Sequence, residues 1–340
     1  MARVIVFGHG TIGGHLVKKL PEYGHEPVLI VTRSGIRRLE GPLIAGFQSG
    51  VSQHDIGTLI EAACEGHGIQ HGLLAIPSGA DGSVELGYML TLLQSGIPVV
   101  TAGKSALANR FDDLRDWIGK VGHDAACGGG TMIPSFIRSK LHIDHRRPAC
   151  ITLNVNGTLN FACWRFSMPA ATEEGVCDEA ARLLFAEPTA SGEAPTPAQL
   201  FSGELGDIQR KIAIVFNTCL YPLVGRAVTQ ADFPTVPLGE KDLRRVMAGN
   251  VTYRYLVRIC MREADLDYFE EVLEGGSIRV RIGDIWVVAG FLRIEGVLEE
   301  FARPMAGNAV RISQGGDSNF TDGEGAGPVP TVGAMMMNMP

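Results

Sequence analysis

The sequence predicts an α/β protein, a doubly wound parallel sheet joined to a second domain of α+β type. Three observations predict it. A glycine-rich turn sits between an apolar run and a helical pattern at the start of the chain. Short apolar runs then alternate with helical patterns as far as about residue 126. Beyond that point the apolar spacing changes to alternation, the pattern of strands with one exposed face. At 340 residues and 45% apolar content the chain is long enough for two domains and apolar enough to fill a large core.

The first strand is Val4-Ile5-Val6-Phe7, apolar throughout as a strand covered on both faces must be. Gly8-His9-Gly10-Thr11-Ile12-Gly13 follows, and helical spacing begins at Gly14. A glycine pattern alone is weak, but between a strand and a helix it is the dinucleotide turn of a Rossmann-type sheet. Gly8 permits the tight turn, Gly10 lets a pyrophosphate approach the backbone, and Gly13 allows close helix–strand contact. Thr11 and Ile12 open the helix, whose free N–H groups suit phosphate oxygens. These five residues are therefore cofactor-binding candidates.

The second strand spans 27–32. An NAD site usually ends this strand with an acidic residue that binds the ribose hydroxyls. Here it runs into Thr32-Arg33-Ser34, with Arg37 and Arg38 close behind. Arg33, with Arg37 or Arg38, suits a 2′-phosphate, so NADP(H) is the expected cofactor and NAD the alternative. A solvated basic turn would have the same composition.

The alternation continues with a helix over 54–64, a strand over 73–76 ending in Pro77-Ser78-Gly79, a helix over 85–94 and a strand over 97–100. The last of these leads into Thr101-Ala102-Gly103-Lys104. Ligands of doubly wound sheets lie at the carboxyl ends of the strands, so Pro77, Ser78 and Lys104 join the candidates. A cation at Lys104 would meet an alkoxide forming during hydride transfer. Farther on, Asp207 and Lys211 stand four apart in a helical stretch and so share one face. Taken alone, that spacing equally describes a surface ion pair.

Bulk properties exclude other classes. The net charge is −7 and no basic run occurs, which argues against nucleic acid or an anionic membrane as partner. The seven cysteines are odd in number and scattered, so free thiols and a reducing, cytoplasmic setting are expected. No long apolar span or leader-like segment appears.

Taken together, the motifs resemble homoserine dehydrogenase, in family order and over nearly the whole chain. Val99-Val100-Thr101-Ala102-Gly103-Lys104 resembles that family's V-V-T-A-N-K, with Gly103 in place of Asn. Asp124-Ala125-Ala126-Cys127-Gly128-Gly129-Gly130 resembles its glycine-rich segment, and Asn156-Gly157-Thr158-Leu159-Asn160-Phe161 its N-G-T-x-N-(Y/F). Glu187-Pro188 followed by Gly206-Asp207-Ile208-Gln209-Arg210-Lys211 resembles its substrate motif. The return over 323–331, with Gly325, resembles the family's last glycine segment.

The resemblance implies a fold, an activity and roles. Lys104, Asp207 and Lys211 would be catalytic: Lys104 beside the reacting carbonyl, Lys211 handling the proton, Asp207 binding substrate. Glu187, Gly157 and Thr158 would bind substrate, and Gly325 cofactor. Asp124, with the carbonyls near Cys127 and Gly129, would hold a monovalent cation. The reaction implied is NADP(H)-dependent interconversion of aspartate semialdehyde and homoserine. A homodimer acting on a small amino-acid substrate is implied too, with residues 1–126 and about 315–340 forming the nucleotide domain and 127–314 the substrate and dimerisation domain. No appended regulatory or kinase domain is expected.

The departures cluster on substrate recognition. Residues 189–200 lengthen the link before the Asp207 helix. The second acid that the family places in that link has only Glu193 or Glu204 as candidates, and Phe185 stands where Tyr is frequent. The alternatives are therefore a same-fold dehydrogenase for another hydroxy-amino acid or amino-aldehyde, and a non-catalytic nucleotide-binding protein. His142 and His145, at helical metal spacing, read better as a solvated loop beside Arg146 and Arg147. Cys127 as a nucleophile lacks an accompanying base.

Overall fold

Val4, Ile5, Val6 and Phe7 have no exposed surface, as an inner parallel strand with both faces covered requires. The computed structural model describes the chain except Glu40, residues 48–51, Ser78, Ala80, residues 143–148, residues 187–192, Asn250, Pro340 and the side chain of Tyr268. Glu187, Ser78 and His145 thus lie outside the described residues. Two compact units result, Met1–Ala126 with Pro328–Pro340, and Cys127–Gly327.

In the first unit the order is β1 (Arg3–Phe7), α1 (Thr11–Lys19), β2 (Glu26–Thr32), β3 (Gly35–Arg38), β4 (Leu43–Gly46), α2 (Gln53–His67), β5 (His71–Leu74), α3 (Ser83–Gln94), β6 (Val99–Thr101), α4 (Ser105–Asn109), α5 (Phe111–Leu114) and β7 (Val121–Gly122). The sheet runs β4-β3-β2-β1-β5-β6-β7. From β2 to β7 the pairing is parallel. β3 and β4 pair antiparallel, an addition that the strand–helix alternation did not anticipate. Gly35 turns the chain there at φ +138°, and a Cβ would lie 2.0 Å from the carbonyl oxygen of Ala45. Only glycine fits so close an approach. The helix over 54–64 has clear local causes: Ser52 accepts from Asp55 N at the start of α2, and Gly68 ends it in the left-handed region.

The second unit comprises α6 (Ile133–Lys140), β8 (Ala149–Asn154), α7 (Gly157–Phe166), α8 (Glu173–Arg182), α9 (Pro197–Val215), α10 (Tyr221–Val224), α11 (Glu240–Met247), β9 (Tyr253–Cys260), β10 (Ile278–Ile282), β11 (Ile285–Arg293), β12 (Gly307–Gln314) and β13 (Asp317–Glu324). Its six strands run β10-β11-β9-β8-β12-β13, antiparallel at every pairing. Leu256, Phe269, Val288, Leu292 and Phe301 form a buried cluster against this sheet. The return to the first unit begins with α12 (Pro328–Met337); residues 317–324 pair with β12 and so lie in the second.

Further features went unanticipated. α9 begins seven residues before Glu204, at a capping box: Thr196 accepts from Gln199 N, and Gln199 answers through the Thr196 backbone N–H, with Pro197 in the first turn. Cys150 and Cys260 are direct register partners on β8 and β9 and form a disulfide, while Cys64, Cys127, Cys163, Cys177 and Cys219 are buried thiols. That pairing corrects the expectation of free thiols throughout, which a sequence separation of 110 concealed. Among the described residues, no helix is long and apolar enough to cross a membrane.

Candidate active site

The first unit carries a glycine turn between β1 and α1 that forms a cradle at the helix start. At Gly8, φ is +89° and a Cβ would lie 2.3 Å from the carbonyl oxygen of Ala75. A Cβ on Gly13 would lie 2.1 Å from the Gly8 carbonyl oxygen, so both positions need glycine for packing. Gly10 differs: nothing lies within 4 Å of its Cβ position. It caps α1 with no side-chain hydrogen bond, leaving the first-turn N–H groups of Thr11 and Ile12 for an anion. This cradle fits a dinucleotide. Arg33 occupies the turn after β2, where Thr32 Oγ1 and Ser34 Oγ meet at 2.8 Å. Arg37 and Arg38 lie on β3 opposite Ile30 and Leu29, so they run back from that end of β2. Arg33 is the one of the three placed at the strand's carboxyl end. Pro77 follows β5 in the loop after Leu74.

Lys104 follows β6 and starts α4. The turn that carries it is held by an acid the sequence did not suggest. Glu85, in the first turn of α3, is 2% exposed. Its Oε1 accepts from Thr101 Oγ1 at 2.9 Å and its Oε2 from Ala106 N at 3.1 Å. Thr101 Oγ1 in turn accepts from Gly103 N at 2.9 Å. Burial pushes the Glu85 carboxyl above the usual carboxylate range, against the hydrogen bonds from Ala106 and Thr101 and the charge of Lys104.

The second unit carries a separate polar cluster built on α7 and α9. Lys211 is 6% exposed, and its Nζ lies 2.7 Å from Asp207 Oδ2 and donates to the Val155 carbonyl oxygen at 2.8 Å. The shared helix face predicted for Asp207 and Lys211 is therefore present, but the pair is buried rather than solvated. Among the described residues these two contacts use two of the ammonium's three N–H donors. Asn156 joins the pair to a second acid: its Nδ2 donates to Glu204 Oε2 at 2.6 Å and to Asp207 Oδ2 at 3.0 Å. Its Oδ1 accepts from Leu159 N at 2.7 Å and so caps α7. One amide thus starts one helix and fastens the acids of another. Of the two acids considered for the lengthened link, Glu204 is the one in this cluster.

Gly157 opens α7 under close packing, for a Cβ would lie 2.7 Å from the Ala306 carbonyl oxygen and 2.8 Å from Ala326 Cβ. A Cβ on Gly325 would fall 2.2 Å from the Asn308 side chain. Thr158 donates its hydroxyl hydrogen to the Phe185 carbonyl oxygen, so only its lone pairs remain for a substrate. Asn160 supports this corner, accepting from Asn154 Nδ2 and donating to the carbonyl oxygens of Arg303 and Met305.

The remaining candidates separate. Asp124 is 1% exposed, and its Oδ2 accepts from Asn338 Nδ2 at 2.8 Å. That hydrogen bond engages one of the two carboxylate oxygens expected to face a cation. Cys127 is fully buried, with its thiol 3.9 Å from the Lys211 carbonyl oxygen, which removes it as an accessible nucleophile. Of the residues that sequence reasoning missed, Asn156 stood in view within Asn-Gly-Thr, whereas Glu85 stood in an apolar helix with no pattern to mark it.

A glycine-turn nucleotide fold with a helix-covered antiparallel sheet in the second unit defines a class, the architecture of the homoserine dehydrogenases. No family model matches the chain, and no curated protein does. Among solved structures it is similar to homoserine dehydrogenase from Thermoplasma acidophilum, at 17% identity and a TM-score of 0.69, over 99% of this chain and 97% of that one. A putative homoserine dehydrogenase from Archaeoglobus fulgidus gives 17% identity and a TM-score of 0.66, over 99% and 98%. A hyperthermophilic archaeal homoserine dehydrogenase in complex with NADPH gives 17% and 0.63, over 99% and 96%. At such identities the likeness shows the fold.

Proposed function

We propose that the protein is an NADP(H)-dependent dehydrogenase that interconverts aspartate semialdehyde and homoserine. The observation that carries this reading is the buried Lys211–Asp207 pair, tied through Asn156 to Glu204. A buried ammonium on one helix with two partly buried carboxylates joined by one amide is more than a surface ion pair needs. The fold of the neighbours, one of them holding NADPH, supports the same reading.

When bound, the nicotinamide supplies or accepts the hydride. Gly8, Gly10, Thr11, Ile12 and Gly13 would hold the pyrophosphate, and Arg33 would pair with the 2′-phosphate. In the reducing direction the aldehyde carbon gains the hydride and its oxygen becomes an alkoxide. Lys104 stabilises that charge, which exists only as the transition state is approached. Lys211 gives a proton to the oxygen through its third N–H and is reprotonated from solvent. Asp207 holds the ammonium in place. In the oxidising direction the neutral Lys211 amine takes the hydroxyl proton. Glu204 accepts from the substrate's α-ammonium group, and Glu187 serves the same end.

A second reading has its own support. Phe185 presents a ring packed edge-on against Phe161 at 5.2 Å, with no hydroxyl to offer where the family often has Tyr. A site lacking one polar contact shifts specificity by orders of magnitude, which favours another hydroxy-amino acid. The deciding assay is NADP-dependent oxidation of L-homoserine by purified protein, run beside other β- and γ-hydroxy amino acids. Turnover of homoserine supports the first reading, and turnover of the others alone supports the second. NADPH binding without turnover of any of them would leave a non-catalytic nucleotide-binding protein. Light scattering on the same sample tests the homodimer that belongs to this proposal.

A further inference from the structure

We infer that Glu85 is a positioning residue for Lys104, occupying with its carboxylate the space that a side chain at position 103 would fill. The inference rests on the reading of Lys104 given above. A Cβ on Gly103 would lie 2.1 Å from Glu85 Oε1, 2.4 Å from its Cδ and 2.8 Å from its Oε2. No side chain fits there while the carboxylate stays. This is the position where the sequence departs from V-V-T-A-N-K, and the polar group absent from residue 103 is replaced by one from α3.

The carboxylate grips the turn on both sides of Lys104. Upstream, Gly103 N donates to Thr101 Oγ1, whose hydroxyl donates to Glu85 Oε1. Downstream, Ala106 N donates to Glu85 Oε2. The same helix end presses on the turn a second time: a Cβ on Gly82, where φ is +75°, would lie 2.5 Å from Ala106 N and 2.5 Å from the Ser105 carbonyl carbon. Thr101, Ser105 and Ala106 have no exposed surface, so water cannot replace the acceptor if it is removed. A buried acid that accepts from one hydroxyl and one backbone N–H of the turn, with no space to move, fixes where the Lys104 side chain begins. That is the placement a preorganised cation needs, since misplacement by about 1 Å can cost about 100-fold in rate.

The test uses a readout independent of turnover. The chain has seven lysines, so amine acetylation followed by mass spectrometry gives a rate for Lys104 against Lys18, Lys19, Lys120, Lys140, Lys211 and Lys241. In Glu85→Ala the Lys104 rate should rise by about threefold or more while the other six hold, since a turn that has lost its buried acceptor leaves the side chain it carries more accessible. NADPH affinity should stay within about twofold, and kcat for L-homoserine should fall by about tenfold with little change in KM. Glu85→Gln, which keeps the volume, and Glu85→Ala/Gly103→Asn, which returns an amide to the vacated space, should recover most of both readouts. Should Glu85→Ala fail to fold, Gly103→Ala serves, because it displaces the carboxylate without removing it.

A wild-type Lys104 acetylation rate in the folded variants would overturn the inference. So would an equal rise at all seven lysines, or a double variant no better than Glu85→Ala. Lys104→Met with undiminished turnover would instead sink the catalytic reading of Lys104, and the acetylation rates would still decide what Glu85 does.

Discussion

The two lysines proposed for the chemistry stand on differently built supports. Lys211 has its partner on its own helix, one turn away at Asp207, and that contact is readable from spacing alone. The turn carrying Lys104 is held by Glu85, nineteen residues earlier, through hydrogen bonds to neighbouring residues. A partner one turn away on the same helix fixes the direction of the Lys211 ammonium. A clamp on the flanking backbone fixes instead where the Lys104 side chain begins. The proposed proton handling and charge placement thus rest on two kinds of support, one local in the sequence and one not.

Four measurements would break or sharpen this contrast. The largest effect belongs to Lys211→Ala, which should lower kcat by about 100-fold or more, the scale of a lost acid/base group. Steady-state rates near wild type would remove it from the mechanism. Next, Arg33→Ala should lower kcat/KM for NADPH by about 10- to 100-fold and leave NADH nearly unchanged, the loss of one charge-assisted contact or two. Arg38→Ala, on the strand opposite Leu29, should do far less, and an equal effect from Arg38 would displace Arg33 as the phosphate partner.

A smaller effect is expected from Asn156→Ala. It removes the cap of α7, worth about 1 kcal/mol in denaturant unfolding, and releases Glu204 and Asp207. KM for the amino-acid substrate should rise while NADPH affinity holds, and a variant altered in stability alone would confine Asn156 to helix capping.

The smallest effect is a slope. The Glu85 carboxyl titrates above its ordinary range in the folded protein, so the folded state binds that proton more tightly than the unfolded one. Stability from this group is therefore fully present at low pH and falls as pH rises from the ordinary carboxylate range through the raised value. Unfolding followed across pH in wild type and Glu85→Gln should differ by that slope. Parallel curves would show that burial leaves the carboxyl where it would be in water.

The legible parts of the molecule were those whose physics is local. The Gly8–Gly13 turn shows itself because strand, glycines and helix are consecutive, and Asp207 and Lys211 show themselves because a helix brings i and i+4 together. The β3–β4 hairpin was missed because four-residue strands such as Gly35-Ile36-Arg37-Arg38 are too short to show a period. β13 was missed because Asp317-Ser318-Asn319 carries edge polarity instead of an apolar alternation. The start of α9 was hidden by a Pro- and Thr-rich approach that reads as loop until the Thr196–Gln199 box is recognised. Asn156–Glu204 and Thr101–Glu85 are contacts between distant parts of the chain, between residue types that are common on any surface. No pattern in one sequence marks such pairs.

The Cys150–Cys260 bond has a topological consequence. The loop it closes spans 110 residues, and that loop contains Asn156, Gly157, Thr158, Glu204, Asp207 and Lys211. All of Met1–Ala126 lies outside it. On chain-entropy grounds a loop of that size restricts the unfolded ensemble by up to about 5 kcal/mol. A reductant is therefore expected to weaken Cys127–Gly327, which carries the residues proposed for substrate and proton, and to spare Met1–Ala126 with its glycine turn.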